Sequence, residues 1–376
     1  MFNTFVIGNN IFSKKIRYIF ILSLALVPII VQSATITSVA AGGNWNAAGT
    51  WVGGTIPGLA DDVIIAVNAS VTVTDNRSCN SITWAAGTQT ATRTLTINAG
   101  ITLNVTNAIT YINPAANFNK TVNVLGTLNC GSVTMPTTGG NTQDCILSIG
   151  TAGTVNITGN LIMTTTFARN HVDMVNGGGS VLNIGGNVGN AANPTAAGGG
   201  FTNPRTINLN GTLPQNYWPA TAGTAALFKV NNASGAILRL AITVSNLTIG
   251  DVTSNSLFSD SGNTVTCTGT LNLNNSSTYR LGRYSGGGGT ATAFPGFATR
   301  NIDLGTTVEY AHINAAQTVS ITPSYANLVF SGVSKTVSAG TLTVRENFTI
   351  NTGATCNAGT NNAAITIGGD FTNSGT

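Results

Sequence analysis

The chain has 376 residues, of which only 7% are Asp, Glu, Lys or Arg, whereas an ordinary soluble domain has about 25%. Beyond residue 17 the basic residues are scattered singly, which argues against the clustered basic surface that nucleic-acid binding requires. Because 42% of the residues are hydrophobic, the chain can bury a core and does not have a disordered composition.

The first 33 residues have the pattern of a cleaved secretory signal peptide. A basic segment that ends at Arg17 precedes an apolar run over residues 18–31, and the small residues that follow predict cleavage after Ser33 or Ala34. The run is shorter than the roughly 20 residues that a membrane-spanning helix needs. We therefore expect export to the extracellular space or the outer cell surface, with no transmembrane segment after cleavage.

Residues 34–66 form a distinct N-terminal module. Its pattern is Gly-Asn-Trp, Thr-Trp, Gly-Gly, Ile-Pro-Gly and Asp-Asp-Val-Ile-Ile, with its most distinctive residues at Trp45, Trp51, Pro57, Asp61 and Asp62. The pattern resembles the N-terminal module of secreted β-solenoid proteins of Bacteroidota and, more loosely, the start of the eight-glycine domain of extracellular proteins. The resemblance implies a surface protein from that group, with delivery by the type IX secretion route as an expectation.

We interpret this module as a cap on a solenoid. The end of a solenoid exposes unpaired strands and an open apolar core, and the two tryptophans are large enough to cover it. The rival interpretation is that they stack on sugar rings. Asp61 and Asp62 are adjacent, so a strand would send their side chains to opposite faces, which does not favour a shared calcium ion.

The remainder, residues 67–376, alternates apolar residues with Thr, Asn or Ser over four or five positions and then turns. This period of two predicts short β-strands, and no segment after residue 34 has a helical period. With the last strand of the N-terminal module included, the clearest predicted strands are 63–66, 71–74, 81–84, 94–98, 101–105, 122–125, 132–135, 155–160, 181–187, 206–210, 246–250, 270–274 and 327–330.

Small strand-and-turn units recur along the chain, and Asn-Leu-Thr-Ile at Asn246 is similar to Asn-Leu-Val-Phe at Asn327. Such repetition indicates a solenoid or an array. We predict an all-β, right-handed, pectin-lyase-like parallel β-helix in preference to an array of β-sandwiches, with Asn or Gly at corners and hydrogen bonds between stacked asparagines. Gly-rich stretches and the segment 214–226 are predicted to protrude as loops.

The five cysteines do not form a recognisable metal or redox motif. Their gaps are irregular and lack a Cys-x-x-Cys pair, so we expect small buried side chains, with one disulfide left open. The residues are Cys79, Cys130, Cys145, Cys267 and Cys356. No cofactor or metal is expected.

One cluster could carry acid–base chemistry. Arg169, His171 and Asp173 are spaced by two, so a strand would place them on one face. A solvated loop is the simpler interpretation, and these three are minority candidates for catalysis.

The sequence therefore predicts an exported, adhesin-like repeat protein that presents a rigid β-helix to glycans or neighbouring cell surfaces without catalysis. A β-helix polysaccharide lyase or glycoside hydrolase and a purely structural stalk are the alternatives. Residues 364–376 resemble a coil in mid-stack, so we expect further C-terminal repeats, a sorting domain or a docking partner after them.

Overall fold

Alternating apolar and hydroxyl or amide side chains form short strands throughout the computed structural model. It describes residues 33–113, 118–136, 144–163, 170–175, 177–189, 200–218, 224–251, 253, 255–282 and 288–376. The predicted signal peptide lies outside these residues, apart from Ser33. Residues 35–376 belong to a single unit.

The strands are three to six residues long in most cases. In chain order they are β1 (Thr35–Thr37), β2 (Gly43–Asn44), β3 (Asp62–Ile65), β4 (Val71–Val73), β5 (Arg77–Cys79), β6 (Ser81–Trp84), β7 (Arg93–Ile97), β8 (Thr102–Thr110), β9 (Lys120–Val124), β10 (Thr127–Met135), β11 (Cys145–Ile149), β12 (Thr154–Ile157), β13 (Leu161–Met163), β14 (Asn170–Met174), β15 (Val181–Ile184), β16 (Gly200–Thr202), β17 (Thr206–Leu209), β18 (Gln215–Tyr217), β19 (Ala225–Val230), β20 (Ala236–Leu238), β21 (Ile242–Ile249), β22 (Leu257–Ser259), β23 (Val265–Cys267), β24 (Thr270–Leu273), β25 (Thr278–Leu281), β26 (Thr299–Ile302), β27 (Thr307–Tyr310), β28 (Gln317–Val319), β29 (Asn327–Phe330), β30 (Ser334–Val337), β31 (Thr341–Val344), β32 (Phe348–Ile350), β33 (Thr355–Asn357), β34 (Ala364–Ile367) and β35 (Phe371–Asn373). Three short 3₁₀ helices occur at Ala48–Thr50, Val52–Gly54 and Gly359–Asn361.

These strands stack into long parallel sheets. The first sheet follows the order β1-β3-β6-β8-β10-β12-β15-β17-β19-β21-β24-β26, the second β16-β14-β11-β9-β7-β4-β2, and the third β18-β20-β22-β25-β27-β29-β32-β35. Every pairing between these strands is parallel. Strands that are neighbours in a sheet come from successive coils, so the prediction of an all-β parallel solenoid is confirmed.

The core consists of apolar residues stacked in register from coil to coil. In the first sheet one such file is fully buried and comprises Leu103, Leu128, Val155, Leu182 and Ile207. Full burial of each side chain of this kind contributes roughly 1.5–3 kcal/mol to folding. Because side chains alternate along a strand, the Thr and Asn residues between them face outward.

Aromatic rings continue the core through the C-terminal half. Neighbouring centroids lie 4.9–6.4 Å apart in an unbroken series of contacts. The rings are Phe201, Tyr217, Phe228, Phe258, Tyr279, Phe294, Tyr325, Tyr310, Phe330, Phe348 and Phe371. We call this series the aromatic spine.

One expectation from the sequence is wrong. The segment 214–226 was predicted to protrude, but β18 belongs to the third sheet and Tyr217 is 1% exposed in the aromatic spine, while residues 219–223 lie outside the described residues. The similar units at Asn246 and Asn327 lie in different sheets, in β21 and β29.

All five cysteines lie in the described part of the chain, and none forms a disulfide. Four are buried and Cys356 is half-buried, as expected for small side chains inside coils. Within the described residues, no helix is long and apolar enough to cross a membrane.

Candidate functional site

Five successive coils of the first sheet present an uncharged outer surface. On β8, β10, β12, β15 and β17 the outward positions are occupied by two files in register, one of Thr with a single Val and one of Asn. The first file is Thr102, Thr127, Thr154, Val181 and Thr206, and the second is Asn104, Asn129, Asn156, Asn183 and Asn208. We call these ten residues the Thr/Asn face.

The asparagine file is a continuous ladder of amide hydrogen bonds. From Asn129 onward, each Nδ2 donates to Oδ1 of the asparagine one coil earlier, at 2.7–2.9 Å, and successive members are 25–27 residues apart in sequence. The predicted hydrogen bonds between stacked asparagines are therefore present. The asparagines of this ladder lie within strands, whereas the sequence predicted asparagine at corners. Each amide is held in one orientation, and the face is rigid at its surface.

The ladder ends where a charged residue occupies the next in-register position. The in-register neighbour of Asn208 on the next coil is Lys229, and Oδ1 of Asn208 is buried without a hydrogen-bond partner. Farther along the same sheet, Asn301 again donates to Asn272 at 2.8 Å. Lys229 thus ends the asparagine ladder of the Thr/Asn face, and Asn272 with Asn301 forms a second ladder of one hydrogen bond farther along the sheet.

A shallow groove of about 310 Å³ adjoins the Thr/Asn face. Amides and hydroxyls from three successive coils line it, namely Asn156, Thr158, Asn183, Asn210 and Thr212. Its floor includes Gly185, where a Cβ atom would lie 2.3 Å from the carbonyl oxygen of Thr158. Only glycine fits this position, because the backbones of the two coils approach closely there.

The minority catalytic candidates are only partly brought together. His171 and Asp173 share the half-buried outer face of β14, as their spacing predicted, while Asn170 before them and Val172 between them point inward. Arg169 lies outside the described residues. Neither His171 nor Asp173 lines one of the cavities described here, and their role stays a prediction.

The N-terminal module begins the stack, because β1 and β3 open the first sheet and β2 pairs with β4 at the end of the second. Trp45 and Trp51 are buried, with ring centroids 5.0 Å apart, and Nε1 of Trp51 donates to the carbonyl oxygen of Trp45 at 2.7 Å. Neither indole presents a face for stacking on an exposed sugar. Burial next to the first strands is what a cap requires, but the capping role itself stays a prediction.

The other three residues of the module make local contacts. Pro57 is buried, and the carboxylate of Asp61 accepts the backbone N–H of Gly58 in the turn that follows it. Asp62 instead accepts hydrogen bonds from the side chains of Asn80 and Ser81 on the next coil. The acid pair therefore organises two different turns.

Sequence analysis missed a buried acid, Asp260, which directly follows β22. It is 4% exposed, and its Oδ1 accepts the backbone N–H groups of Gly262 at 2.8 Å and Gly282 at 2.7 Å. Burial raises the pKa of this carboxyl to about 7, and the hydrogen bonds from the two backbone N–H groups and from the side chain of Tyr279 oppose that rise. An Asp in a Ser-Asp-Ser-Gly segment is typical of an exposed turn, so nothing local in the sequence indicated burial.

Asp260 lines a cavity of about 390 Å³ between its own corner and the segment 290–296. Hydroxyl, amide and apolar groups share the lining, among them Asn263, Thr290 and Phe294. Among the described residues, no other acid lines this cavity. Within the described residues, no group of three His, Cys, Asp or Glu side chains could hold a metal ion.

The chain offers two surfaces of different chemistry, an extended neutral face and a compact cavity with one carboxyl group. Comparison of the chain with protein-family models, curated proteins and solved structures finds no match.

Proposed function

We propose that this chain is an exported, adhesin-like repeat protein that presents a rigid parallel β-solenoid to glycans or neighbouring cell surfaces, without catalysis. The observation that carries the proposal is the Thr/Asn face, where ten outward positions on five coils contain no charged residue. Neutral glycans offer hydroxyl groups that can both donate to and accept from amides and hydroxyls. The N-terminal pattern around Trp45 and Trp51 adds a resemblance to secreted solenoids.

Such a surface would bind by many weak contacts. The face lacks a deep apolar pocket, so each contact with a sugar is exchanged against a contact with water and contributes little net free energy. Repetition along the solenoid, or many copies on one cell surface, converts weak single contacts into useful avidity. A rigid ladder reduces the ordering cost of each contact, because its amides are already fixed.

The test is binding of the full chain to a neutral and acidic glycan array and to intact cells. The variant Thr158→Glu/Thr212→Glu places two charges at exposed positions of the groove, and Thr55→Glu/Thr322→Glu is the matched control at exposed threonines elsewhere. We expect the groove variant to lose binding and the control to keep it, with equal thermal unfolding temperatures. If the wild-type chain binds no glycan and no cell, the purely structural stalk is the interpretation that remains.

A polysaccharide lyase or hydrolase is the second candidate, and the observation that favours it is the buried carboxyl of Asp260 at the side of a cavity. Glycoside hydrolysis usually needs two carboxyl groups, and Asp260 is the only acid among the described residues that line this cavity, which counts against this candidate. Depolymerisation assays on acidic and neutral polysaccharides decide between the candidates. Cleavage that disappears in Asp260→Asn, His171→Ala or Asp173→Ala would replace the proposal of passive binding.

A further inference from the structure

A buried carboxyl group, that of Asp260, lines this cavity. Its Oδ1 accepts both backbone hydrogen bonds, from Gly262 and Gly282. The hydroxyl of Tyr279, a fully buried residue on the next coil that does not line the cavity, is its side-chain partner. Two N–H groups and one hydroxyl leave part of the acceptor capacity of a carboxyl group for a donor in the cavity.

Size and position suit a small ligand. A volume of about 390 Å³ lies within the range of about 300–1,000 Å³ that is typical of small-molecule pockets. The cavity opens beside Thr290, which is exposed, while Asp260 lies at its buried side. A ligand can therefore enter from solvent and reach the carboxyl group without displacing the core.

The lining combines hydrogen-bonding and apolar groups. Thr264, Thr290 and Thr292 supply hydroxyls and Asn263 supplies an amide, whereas Val265 and Phe294 supply apolar surface. Among the described residues, no Lys, Arg or His lines the cavity, although the guanidinium of Arg300 lies 6.0 Å from the centroid of the Phe294 ring. A sugar ring has the matching chemistry, because its hydroxyls donate to a carboxylate while its C–H faces pack on apolar side chains.

We propose that this cavity is a subsite for a single neutral sugar residue, with a sugar hydroxyl donating to Oδ2 of Asp260 and the ring held against Phe294 and Val265. This assignment rests on the proposed glycan-binding function and gives it a defined pocket, separate from the Thr/Asn face. The sugar is bound and not cleaved, because the described lining contains one carboxyl group and glycoside hydrolysis usually needs two. The subsite would anchor a terminal residue of a glycan whose remaining units contact the outside of the solenoid.

The test uses saturation-transfer NMR and calorimetric titration of the full chain with methyl glycosides of glucose, galactose, mannose and N-acetylglucosamine, and with glucuronate as the charged probe. Asp260→Asn keeps an oxygen for the two backbone N–H groups but replaces the second oxygen with an amide nitrogen. Thr290→Trp fills the cavity mouth. Matched controls are Asp303→Asn and Thr322→Trp, which alter exposed residues outside the cavity.

We expect at least one neutral glycoside to bind, with affinity at least tenfold weaker in Asp260→Asn and lost in Thr290→Trp, while both controls match the wild type and glucuronate does not bind. If a glycoside or array glycan binds and neither cavity variant weakens it, the subsite is wrong and the proposed function stands. If no glycan binds the wild-type chain at all, both are overturned. Release of new reducing ends that Asp260→Asn abolishes would overturn the assignment to binding alone.

Discussion

Nδ2 of Asn183 donates a 2.7 Å hydrogen bond to Oδ1 of Asn156, whose own Nδ2 donates 2.7 Å to Asn129 on the coil before. Asn156 is thus donor and acceptor at once, and both bonds cross between coils. Asparagine has low strand propensity, so its repeated use at these outward positions is explained by the ladder and not by local backbone preference.

The first prediction follows from this double role. Asn156→Thr introduces a residue with higher strand propensity but removes both amide hydrogen bonds, so we expect it to lower the free energy of unfolding by about 1–2 kcal/mol. Val181→Thr introduces the same residue at an outward position without a ladder bond, and it should change stability by less than about 0.5 kcal/mol. Urea unfolding followed by circular dichroism measures both, and equal midpoints would contradict a stabilising ladder.

The aromatic spine gives a second prediction. Phe258 is 1% exposed and its ring lies between Phe228 and Tyr279, so Phe258→Ala should cost roughly 3–5 kcal/mol, as large-to-small core changes do. Phe371 is 54% exposed and has one ring neighbour, Phe348. Phe371→Ala should therefore cost clearly less. Because solenoids can unfold in segments, hydrogen exchange resolved by residue is the appropriate measurement, and similar losses in the two variants would refute the distinction.

The strand pattern could be predicted because inward and outward positions alternate in the sequence itself. β6 at Ser81–Trp84 and β29 at Asn327–Phe330 match their predicted bounds. β18 could not be predicted, because one of its two inward residues is Gln215. That side chain is buried and makes four hydrogen bonds, to Gly211, Ile184, Gly186 and Asn232. Three of these partners lie outside the turn that contains it, so the bonds that make its burial favourable appear only once coils stack.

The same reason explains why the Thr/Asn face was only partly foreseen. Stacked asparagines were predicted, but the register that aligns Asn104 with Asn208 through three intervening coils depends on turn lengths that the strand pattern does not specify. Asp260 illustrates the limit more strongly, because neighbouring coils and the segment 290–296 enclose it. Corner residues become buried only when neighbouring coils pack on them, so the alternation of residues along one strand cannot predict their burial.

Lys335 supports a third prediction, about pH. It is fully buried in β30, its Nζ donates to the carbonyl oxygen of Val333 at 2.7 Å, and it stacks in register between Gln317 and Cys356. Burial lowers the pKa of this amine to about 8, partly offset by the charge of Glu309. Between about pH 8 and its ordinary value near 10.5, the folded chain binds fewer protons than the unfolded chain, so this group makes stability rise with pH.

The variant Lys335→Met removes the buried ammonium while keeping similar volume. We expect the free energy of unfolding at pH 7 to increase by about 1–3 kcal/mol, and the gain to shrink as pH rises towards 10. Lys229→Met, at a half-buried outward position, is the matched control and should not change the pH dependence. A loss of stability in Lys335→Met at pH 7 would mean that the hydrogen bond to Val333 outweighs the cost of burying the charge.

Asp260 should change the stability of the folded chain with pH in the opposite direction. Its pKa is raised from 3.8 to about 7 by burial, so between those values the folded chain holds a proton that the unfolded chain has released. This group therefore makes stability fall as pH rises from about 4 to 7, by on the order of 4 kcal/mol, with no further change above pH 7. Asp260→Asn removes the ionisation and should flatten that part of the curve, whereas Asp303→Asn, at an exposed site, should leave it intact. Unfolding midpoints in urea from pH 4.5 to 8.5 measure how stability changes with pH. If the wild-type midpoint rises through this window in parallel with that of Asp260→Asn, the carboxyl is charged in the folded chain and its Oδ2 is already satisfied.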